Sequence, residues 1–295
     1  MSDSPALVAS SLPVAVFDLS DRAFLRLTGS DRLRYLNGQL TQDLRRLTPT
    51  TALPACITNA KGRLQAVVWV SVWEEALMVD VDADLGESLM ARLDRYIVAD
   101  DVLLEDVSGQ FALLHVTGTD LEQIPELRDF PKTQAARLGE TGWDVRIPLA
   151  AKPAVLEALG NRVASRGLWE LLCVARGIPR WGFELGEDTL PPEAGLDLTH
   201  VDYHKGCYIG QETISRLKSV GHVNRTLLRL SGVAGQPLAA SGAELRVAGD
   251  GQAVVGKITS AVLLPSGESA VLAYVKRGVE AREFLSGEGG VFRRV

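Results

Sequence analysis

The chain changes character near residue 225, and this change limits the fold more than any other feature of the sequence. Residues 232–295 hold 11 of the 28 glycines in 64 of the 295 positions. Strand-like runs alternate there with glycine turns, as they do in small antiparallel barrels or sandwiches: 226–230, 253–258 and 270–275. We therefore predict a C-terminal β-barrel domain of residues 225–295, which follows an N-terminal region of residues 1–224.

The N-terminal region mixes helix and strand patterns. Leucines recur every three or four residues from Leu33 to Leu47, which predicts an amphipathic helix with Ser30 as its N-cap. Residues 55–82 form a predicted β-meander, and apolar residues at every fourth position from 85 to 97 predict a second helix. Helices and strands without a strict βαβ rhythm favour an α+β fold, so we expect two α+β lobes before the barrel.

Composition excludes several classes of protein. Hydrophobic residues make up 46% of the chain, which is far too many for a disordered protein. The longest uncharged apolar run, residues 64–73, has about half of the ~20 residues that a membrane span requires. The N-terminus lacks the basic start of a secretory signal, and the cysteines form no C-x-x-C pair: Cys56, Cys173 and Cys207. We expect a soluble, cytoplasmic monomer with free thiols and no membrane contact.

Charge is unevenly distributed along the chain. The net charge is −6, residues 74–106 carry a local charge of −9, and residues 201–230 carry a local charge of +3. A basic surface within an acidic protein can attract an anionic ligand. An ordinary scatter of solvated charges explains the same counts equally well.

Unusual residues are densest at 204–213, where Gly206 and Gly210 flank Cys207. Helical spacing downstream places this cysteine near the entry to a helix, where backbone N–H groups and the neighbouring Lys205 would stabilise a thiolate. Cys207 is therefore the candidate reactive residue. The alternative is a small buried side chain that packs a tight turn, because free cysteines are among the most buried residues.

Histidines near Cys207 raise the question of a metal site. His200, His204 and Cys207 would share one helical face, and His222 lies further along the chain. The C-x2–4-C spacing of structural zinc is missing, and Gly206 interrupts the helix before Cys207. We expect no metal. Walker and Rossmann glycine motifs are also missing from the sequence, which argues against nucleotide binding.

The segment KGCYIGQE, residues 205–212, resembles the signature of the YgfZ-type folate-binding proteins, relatives of the glycine-cleavage T-protein (aminomethyltransferase). Four further segments are similar to the same family and extend the resemblance over most of the chain: 27–44, 59–63, 176–198 and 255–277. The resemblance implies a three-lobed ring with tetrahydrofolate, or a one-carbon-substituted derivative, in the central hole. It also implies a role in assembling or repairing iron–sulfur proteins, including enzymes that modify tRNA.

The resemblance assigns roles to individual residues. Cys207 matches the signature cysteine that is regarded as needed for activity. Trp169, in a helix predicted at 167–177, matches a folate-contacting tryptophan, although an ordinary core aromatic would fit the same position. Lys61 belongs to a hairpin that faces the hole in the family, and its charge suits a folate glutamate tail. The remaining residues expected around the ligand are Asn59, Lys205, Tyr208, Gln211, Glu212 and Arg22.

Three departures from the family pattern bear on function. Ala175 replaces an acid that hydrogen-bonds the pterin amino groups, which leaves that role to Glu170 or Glu184. Arg22 stands near the place of a second stacking tryptophan, and a guanidinium can also stack on an aromatic ring. The pair Gln65-Ala66 replaces an acidic pair of the T-protein, and neither residue can act as a carboxylate acid or base.

We therefore expect a tetrahydrofolate-binding accessory factor with a reactive Cys207. Its expected partners are iron–sulfur client or assembly proteins, with a weak tRNA contact. The alternative is a folate-dependent one-carbon transferase of the aminomethyl type. A third hypothesis is direct RNA binding through residues 201–230. The aromatic residues of this segment are Tyr203 and Tyr208 alone, which gives little support to base stacking.

Overall fold

The structure, a computed structural model, describes residues 14–118, 121–249, 253–287 and 289–295. Most of the N-terminal segment that argues against a secretory signal, residues 1–13, lies outside the described residues. Within the described ranges, no helix is both long and apolar enough to cross a membrane.

Strands and helices alternate along the chain. In chain order the strands and α-helices are β1 (Val16–Asp18), β2 (Ala23–Thr28), α1 (Arg32–Gln39), β3 (Ala52–Thr58), β4 (Leu64–Trp73), β5 (Ala76–Val81), α2 (Gly86–Asp94), β6 (Leu103–Asp106), β7 (Phe111–Val116), β8 (Lys132–Ala135), β9 (Gly142–Pro148), α3 (Lys152–Leu159), α4 (Arg166–Arg176), α5 (Gln211–Ser219), β10 (Arg225–Gly232), β11 (Glu244–Val247), β12 (Val254–Leu263), β13 (Ser269–Lys276), β14 (Glu283–Ser286) and β15 (Val291–Arg294). Short 3-10 helices lie at Leu44–Arg46, Ala83–Leu85, Leu121–Gln123, Pro125–Leu127, Leu149–Ala151, Gly160–Arg162, Pro191–Ala194 and Leu196–Leu198.

The first lobe is a five-stranded antiparallel sheet in the order β3-β4-β5-β2-β6. Its strands β3, β4 and β5 form the β-meander that the sequence predicts. Helices α1 and α2 pack on one face of the sheet, over a core that includes Val68 and Val70 of β4. Because side chains alternate along a strand, Val67 and Trp69 of β4 lie on the opposite face. That opposite face is the one that borders the candidate site.

The prediction of one long first helix is wrong in its length and its cap. Helix α1 has eight residues and its N-cap is Asp31, whereas Ser30 donates from its N–H and its hydroxyl to the Asp101 carboxylate at 2.9 and 2.8 Å. The chain leaves the helix at Leu40, which has an extended conformation. The leucine spacing is misleading because Leu40, in extended backbone, and Leu44, in a separate 3-10 helix, enter the same core from outside α1.

The second lobe is a four-stranded antiparallel sheet in the order β1-β7-β9-β8. Helix α3 covers one face, where Leu159 packs with Leu114 of β7. Helix α4 covers the other face, where Leu172 packs with Phe17 and Leu113. The sheet is therefore buried on both sides, and α4 is fixed against it.

The third lobe is a closed antiparallel barrel in the order β10-β13-β12-β11-β14-β15. Phe284 and Phe292 are fully buried in its interior. Helix α4 contacts β10, β12 and β13, so the barrel is joined to the second lobe through this helix. The α+β architecture with a C-terminal antiparallel β-barrel, predicted from the sequence, is confirmed.

Candidate functional site

A cavity of about 410 Å³ lies between the first two lobes and the segment 177–200. Four aromatic side chains from three parts of the chain line it: Trp69, Trp169, Trp181 and Phe183. Four arginines line it as well: Arg22, Arg137, Arg166 and Arg180. Small-molecule sites are usually concave, about 300–1,000 Å³ in volume, and largely apolar with a few polar groups. The cavity therefore has the size and the lining of a ligand site.

Trp169 is held in the cavity wall by helix α4. The helix begins with Ser165, whose hydroxyl accepts a hydrogen bond from the backbone N–H of Leu168 at 3.2 Å, and it ends at Gly177, which has a φ of 76°. The indole packs edge-on against Phe17, with ring centroids 5.1 Å apart, and against His115 at 5.8 Å. These contacts fix the ring while part of it stays exposed to the cavity.

A buried ion network beside the cavity joins the two lobes. Arg137, between β8 and β9, contacts the carboxylates of Asp80 on β5 at 2.6 Å and of Asp144 on β9 at 2.7 Å. Nδ1 of His115 lies 2.8 Å from the same Asp144. Burial on its own raises the pKa of Asp144, but the Arg137 charge and the hydrogen bonds from His115 and Arg137 outweigh it and hold that pKa well below its usual range.

Arg22 lines the cavity with its guanidinium already paired. Its Nε lies 2.5 Å from Asp80 and its Nη1 lies 2.7 Å from Asp82. Asp80 therefore accepts from Arg22 and from Arg137 at the same time. Arg22 presents a fixed, planar and nearly neutralised group to the cavity.

Of the two acids that could replace the missing one at Ala175, only Glu170 lines the cavity. Its side chain is 46% exposed, and its only ion-pair contact in the described chain is 3.8 Å from Arg166. Glu184 is fully buried, accepts a short hydrogen bond from the hydroxyl of Ser260 on β12, and accepts another from the Arg180 backbone at 3.0 Å. Glu184 therefore joins the 177–200 segment to the barrel, and Glu170 is the carboxylate that a ligand can reach.

Lys205 is buried and closes the end of helix α1. Its Nζ donates to the backbone carbonyls of Asn37, Leu40 and Gln42 at 2.6, 2.7 and 2.7 Å, which uses all three N–H donors of the ammonium. Desolvation lowers the pKa of Lys205 to about 8, against the opposing effect of Asp43 and Asp202. The charge beside Cys207 in the sequence is thus directed into the first lobe.

Asn59 and Gly210 join the 59–62 hairpin to the start of helix α5. The side-chain oxygen of Asn59 accepts from the N–H groups of Lys61 at 2.9 Å and Arg63 at 3.2 Å, which shapes the turn. Gly210 has a φ of 88°, and a Cβ there would lie 2.5 Å from the Asn59 carbonyl oxygen and 2.6 Å from the hydroxyl oxygen of Thr58. Only glycine fits this approach.

The other residues of the signature divide between the interior and the surface. Tyr208 is buried, and its hydroxyl has no hydrogen-bond partner among the described residues. Cys207 is exposed, as is Glu212 in the first turn of α5, and Gln211 is partly buried as the first residue of that helix. Cys207 thus lies on the surface, three residues before the N-cap of α5.

The structure therefore divides the predicted site residues into two places. Trp169 and Arg22 line the cavity, and the others lie at the 59–62 hairpin and the signature loop: Asn59, Lys61, Lys205, Cys207, Tyr208, Gln211 and Glu212. His200 lines the cavity, and burial lowers its pKa to about 4. In the part of the chain that the structure describes, no group of three or more His, Cys, Asp or Glu side chains could hold a metal ion.

Sequence reasoning missed Trp69, Trp181 and Arg137 as cavity residues. Trp69 belongs to an apolar run that was used to predict the β-meander and to exclude a membrane span, and alternation along this strand would have placed it opposite the core. Arg137 lies in a polar region without a clear pattern, and its partners Asp80 and Asp144 are 57 and 7 positions away. No signal in the sequence pairs these three charges.

The role of Lys205 predicts a measurable pH effect. Lys205→Met leaves three carbonyls without their donor, so we expect the free energy of unfolding to fall by about 1–3 kcal/mol near neutral pH. The pKa of Lys205 is about 8 in the folded protein and ~10.4 in the unfolded chain. Between these two pH values the unfolded chain therefore binds more protons than the folded protein. Native stability should therefore rise over this interval relative to the variant. Urea unfolding of both proteins across this pH range measures the difference, and a difference that is independent of pH would contradict the assignment.

Comparisons with known proteins agree with this architecture. No protein-family model matches the chain. Proteins named tRNA-modifying protein YgfZ from Sodalis glossinidius (strain morsitans) and Yersinia pestis (strain Pestoides F) are 27% and 25% identical to it, and each alignment covers 95% of this chain and 90% of the relative. The crystal structure of glycine cleavage system aminomethyltransferase T from Bartonella henselae matches with a TM-score of 0.79 and 19% identity, over 96% of this chain and 84% of that chain. The resemblance to YgfZ-type proteins and the T-protein-like fold are confirmed.

Proposed function

We propose that the cavity beside Trp169 binds tetrahydrofolate or a one-carbon-substituted derivative. The observation that carries this proposal is the position of Trp169. The family's folate-contacting tryptophan is matched by a residue that lines a 410 Å³ cavity, with its ring fixed by Phe17 and His115. Trp181 and Phe183 add aromatic surface for a ligand with two ring systems.

Glu170 is the group proposed to hold the pterin. Its half-exposed carboxylate can accept two hydrogen bonds from a 2-amino pyrimidine edge, which is the role of the acid that Ala175 replaces. It lies on the same helix as Trp169, so the ring and the acceptor have a fixed relation. Arg22 is proposed to stack on a ring of the ligand. Its planar guanidinium is held by two aspartates, so it can stack without carrying net charge into the cavity.

We propose an accessory role rather than aminomethyl transfer. The strand that carries the acidic pair in the T-protein has Gln65 and Ala66 here. Gln65 accepts a hydrogen bond from Nε of Arg92 at 3.0 Å, and Ala66 is buried in the core of the first lobe. Neither residue lines the cavity or can move a proton, which supports a binding protein over the one-carbon transferase alternative.

The proposed process is tRNA modification, through the maintenance of iron–sulfur proteins that act on tRNA. The name of the relatives that align over 95% of this chain supports the tRNA part of this proposal, and the iron–sulfur part is what the resemblance implies. Cys207 is the proposed reactive group, because its thiol is exposed whereas those of Cys56 and Cys173 are buried. Burial raises the pKa of both of those thiols to about 12, so they stay protonated.

The proposed domain division is residues 1–224 for ligand binding and 225–295 for the barrel. Two contacts support a buttressing role for the barrel. Ser260 donates to the Glu184 carboxylate, and the Tyr274 hydroxyl donates to the Glu184 carbonyl at 2.9 Å. The barrel thereby holds the segment that carries Trp181 and Phe183.

The test is a titration with tetrahydrofolate, followed by tryptophan fluorescence and calorimetry, on the native protein and on Trp169→Ala. We expect saturable quenching in the native protein and a dissociation constant raised about 10-fold or more in the variant, because a lost ring stack and its buried area are worth about 1.4 kcal/mol or more. Trp73→Phe is the control, because Trp73 packs against Phe111 outside the cavity. No binding by the native protein would overturn the proposed function.

A second variant in the same design separates the ligand site from the thiol. Cys207→Ala should fold and bind tetrahydrofolate like the native protein, because the side chain is exposed and lies outside the cavity wall. In cells that lack the native protein, we expect this variant to leave iron–sulfur-dependent tRNA modifications unrestored. Full restoration would remove Cys207 from the proposal and leave the folate site intact.

A further inference from the structure

The side chain of Trp69 has an unusual environment for a partly buried tryptophan. It lies on β4 between Pro54 of β3 and Asp80 of β5, and its ring faces the cavity side of the sheet with Val67. Within the described chain it belongs to none of the hydrophobic clusters, whereas Trp169 packs with one cluster and Trp181 with another. The ring of Trp69 is thus not part of a hydrophobic core.

Arg137 covers Trp69 with a fixed positive charge. The guanidinium carbon lies 5.0 Å from the ring centroid of Trp69, within the range of a cation–π contact. Its side chain is only 4% exposed, and its nitrogens donate to both oxygens of Asp80 and both oxygens of Asp144. Arg137, which is itself held by two aspartates, therefore fixes the rotamer of Trp69.

The same hydrogen bonds decide what Arg137 does not do. Two carboxylates already compensate its single charge, and its nitrogens are directed at their oxygens. A ligand carboxylate would have to displace a buried aspartate, which costs several kcal/mol. Arg137 is thus a support for a ring and not a receptor for an anion.

We propose that Trp69 is a second ring-stacking residue of the cavity, held in place by Arg137, and that it determines specificity for a ligand with a planar ring. This inference rests on the proposed folate site. The contact with Arg137 fixes the indole, and offset stacking of a planar ring on an indole contributes stabilisation beyond the area that is buried. A reduced pterin and an aminobenzoyl group both offer a planar ring, so Trp69 stacks on one ring of the ligand while Trp169 contacts the ligand from α4.

The experiment compares Trp69→Leu and Trp69→Phe with the native protein. Each protein is titrated with tetrahydrofolate, with a reduced pterin that lacks the tail, and with p-aminobenzoylglutamate, and each is unfolded in urea. We expect Trp69→Leu to raise the dissociation constant of tetrahydrofolate about 10-fold, and Trp69→Phe to restore most of the affinity because it keeps a ring. The fragment whose affinity falls in parallel identifies the ring that stacks on Trp69.

The outcomes are distinguishable. If the native protein binds no tetrahydrofolate, the proposed function fails and the inference fails with it. If the native protein binds and Trp69→Leu binds equally well, the inference alone is overturned. It is also overturned if Trp69→Phe is as weak as Trp69→Leu, since a ring would then make no difference. A loss of affinity that Trp69→Phe restores, with unchanged urea midpoints, supports it.

Discussion

Arg137→Met lowers the free energy of unfolding by about 3–5 kcal/mol, the expected cost of leaving a buried charge without its partner. The substitution keeps an unbranched apolar side chain but removes the guanidinium that both carboxylates share, so Asp80 is left with Arg22 and Asp144 with His115. Both carboxylates are largely buried, so water replaces the lost partner poorly. Urea unfolding near neutral pH measures the effect.

Arg166→Met is the matched control. This arginine also pairs with an aspartate, Asp21, at 2.9 Å, but its side chain is 65% exposed. Surface ion pairs contribute about 0–1 kcal/mol, so we expect a small change. If the two variants lose similar stability, the interlobe network is not the stabilising feature that its geometry indicates.

The loss in Arg137→Met should also depend on pH. The pKa of Asp144 is depressed in the folded protein, so its contribution is complete above the unfolded aspartate pKa of ~3.9 and decreases as the pH falls towards the lower folded pKa. The difference between native and variant therefore narrows below about pH 4. A difference that stays constant into acid would assign the effect to packing instead of charge.

Gly210→Ala and Gly206→Ala, four positions apart in the same signature, should behave very differently. At Gly210 the φ of 88° disfavours any side chain, and the new Cβ would lie 2.5 Å from a backbone oxygen and 2.6 Å from the hydroxyl oxygen of Thr58. We expect the free energy of unfolding to fall by about 2–4 kcal/mol, from the left-handed conformation and the displaced hairpin together.

Gly206 supplies the control for this prediction. It is exposed, its φ lies outside the left-handed range, and no atom lies within 4 Å of the position of a Cβ. We expect Gly206→Ala to stay within about 0.5 kcal/mol of the native protein. Equal losses from the two alanines in urea unfolding would show that the 59–62 hairpin yields to the new methyl group.

Sequence patterns predicted the elements well and the connections between them poorly. Alternation and leucine spacing identified the meander, the second helix and three of the six described strands of the barrel, because these signals are local. The first helix was predicted too long because Leu40 and Leu44 satisfy the same core from a different backbone. Periodicity reports which side chains are buried, and here it did not report which backbone buries them.

The candidate site divides along the same line. The loop around Cys207 was identified from its own residues and from the resemblance, and Trp169 was identified through the resemblance, whose motifs are continuous in sequence. Lys205 could be seen as a cation near Cys207, but its three acceptors lie on the end of a helix more than 160 residues earlier. The pairing of Arg137 with Trp69 brings together a connection of the second lobe and a strand of the first, and no local sequence pattern indicates it.

The position of Lys205 has a consequence for the order in which the chain folds. The carbonyls at the end of α1 accept hydrogen bonds from Lys205, which lies 163 to 168 residues downstream. During synthesis the first lobe therefore leaves the ribosome before these carbonyls have their donor, while the second lobe and α4 are still being made. Contacts of such high sequence separation form late, so the loop that carries Lys205 completes the first lobe last, although that lobe is translated first.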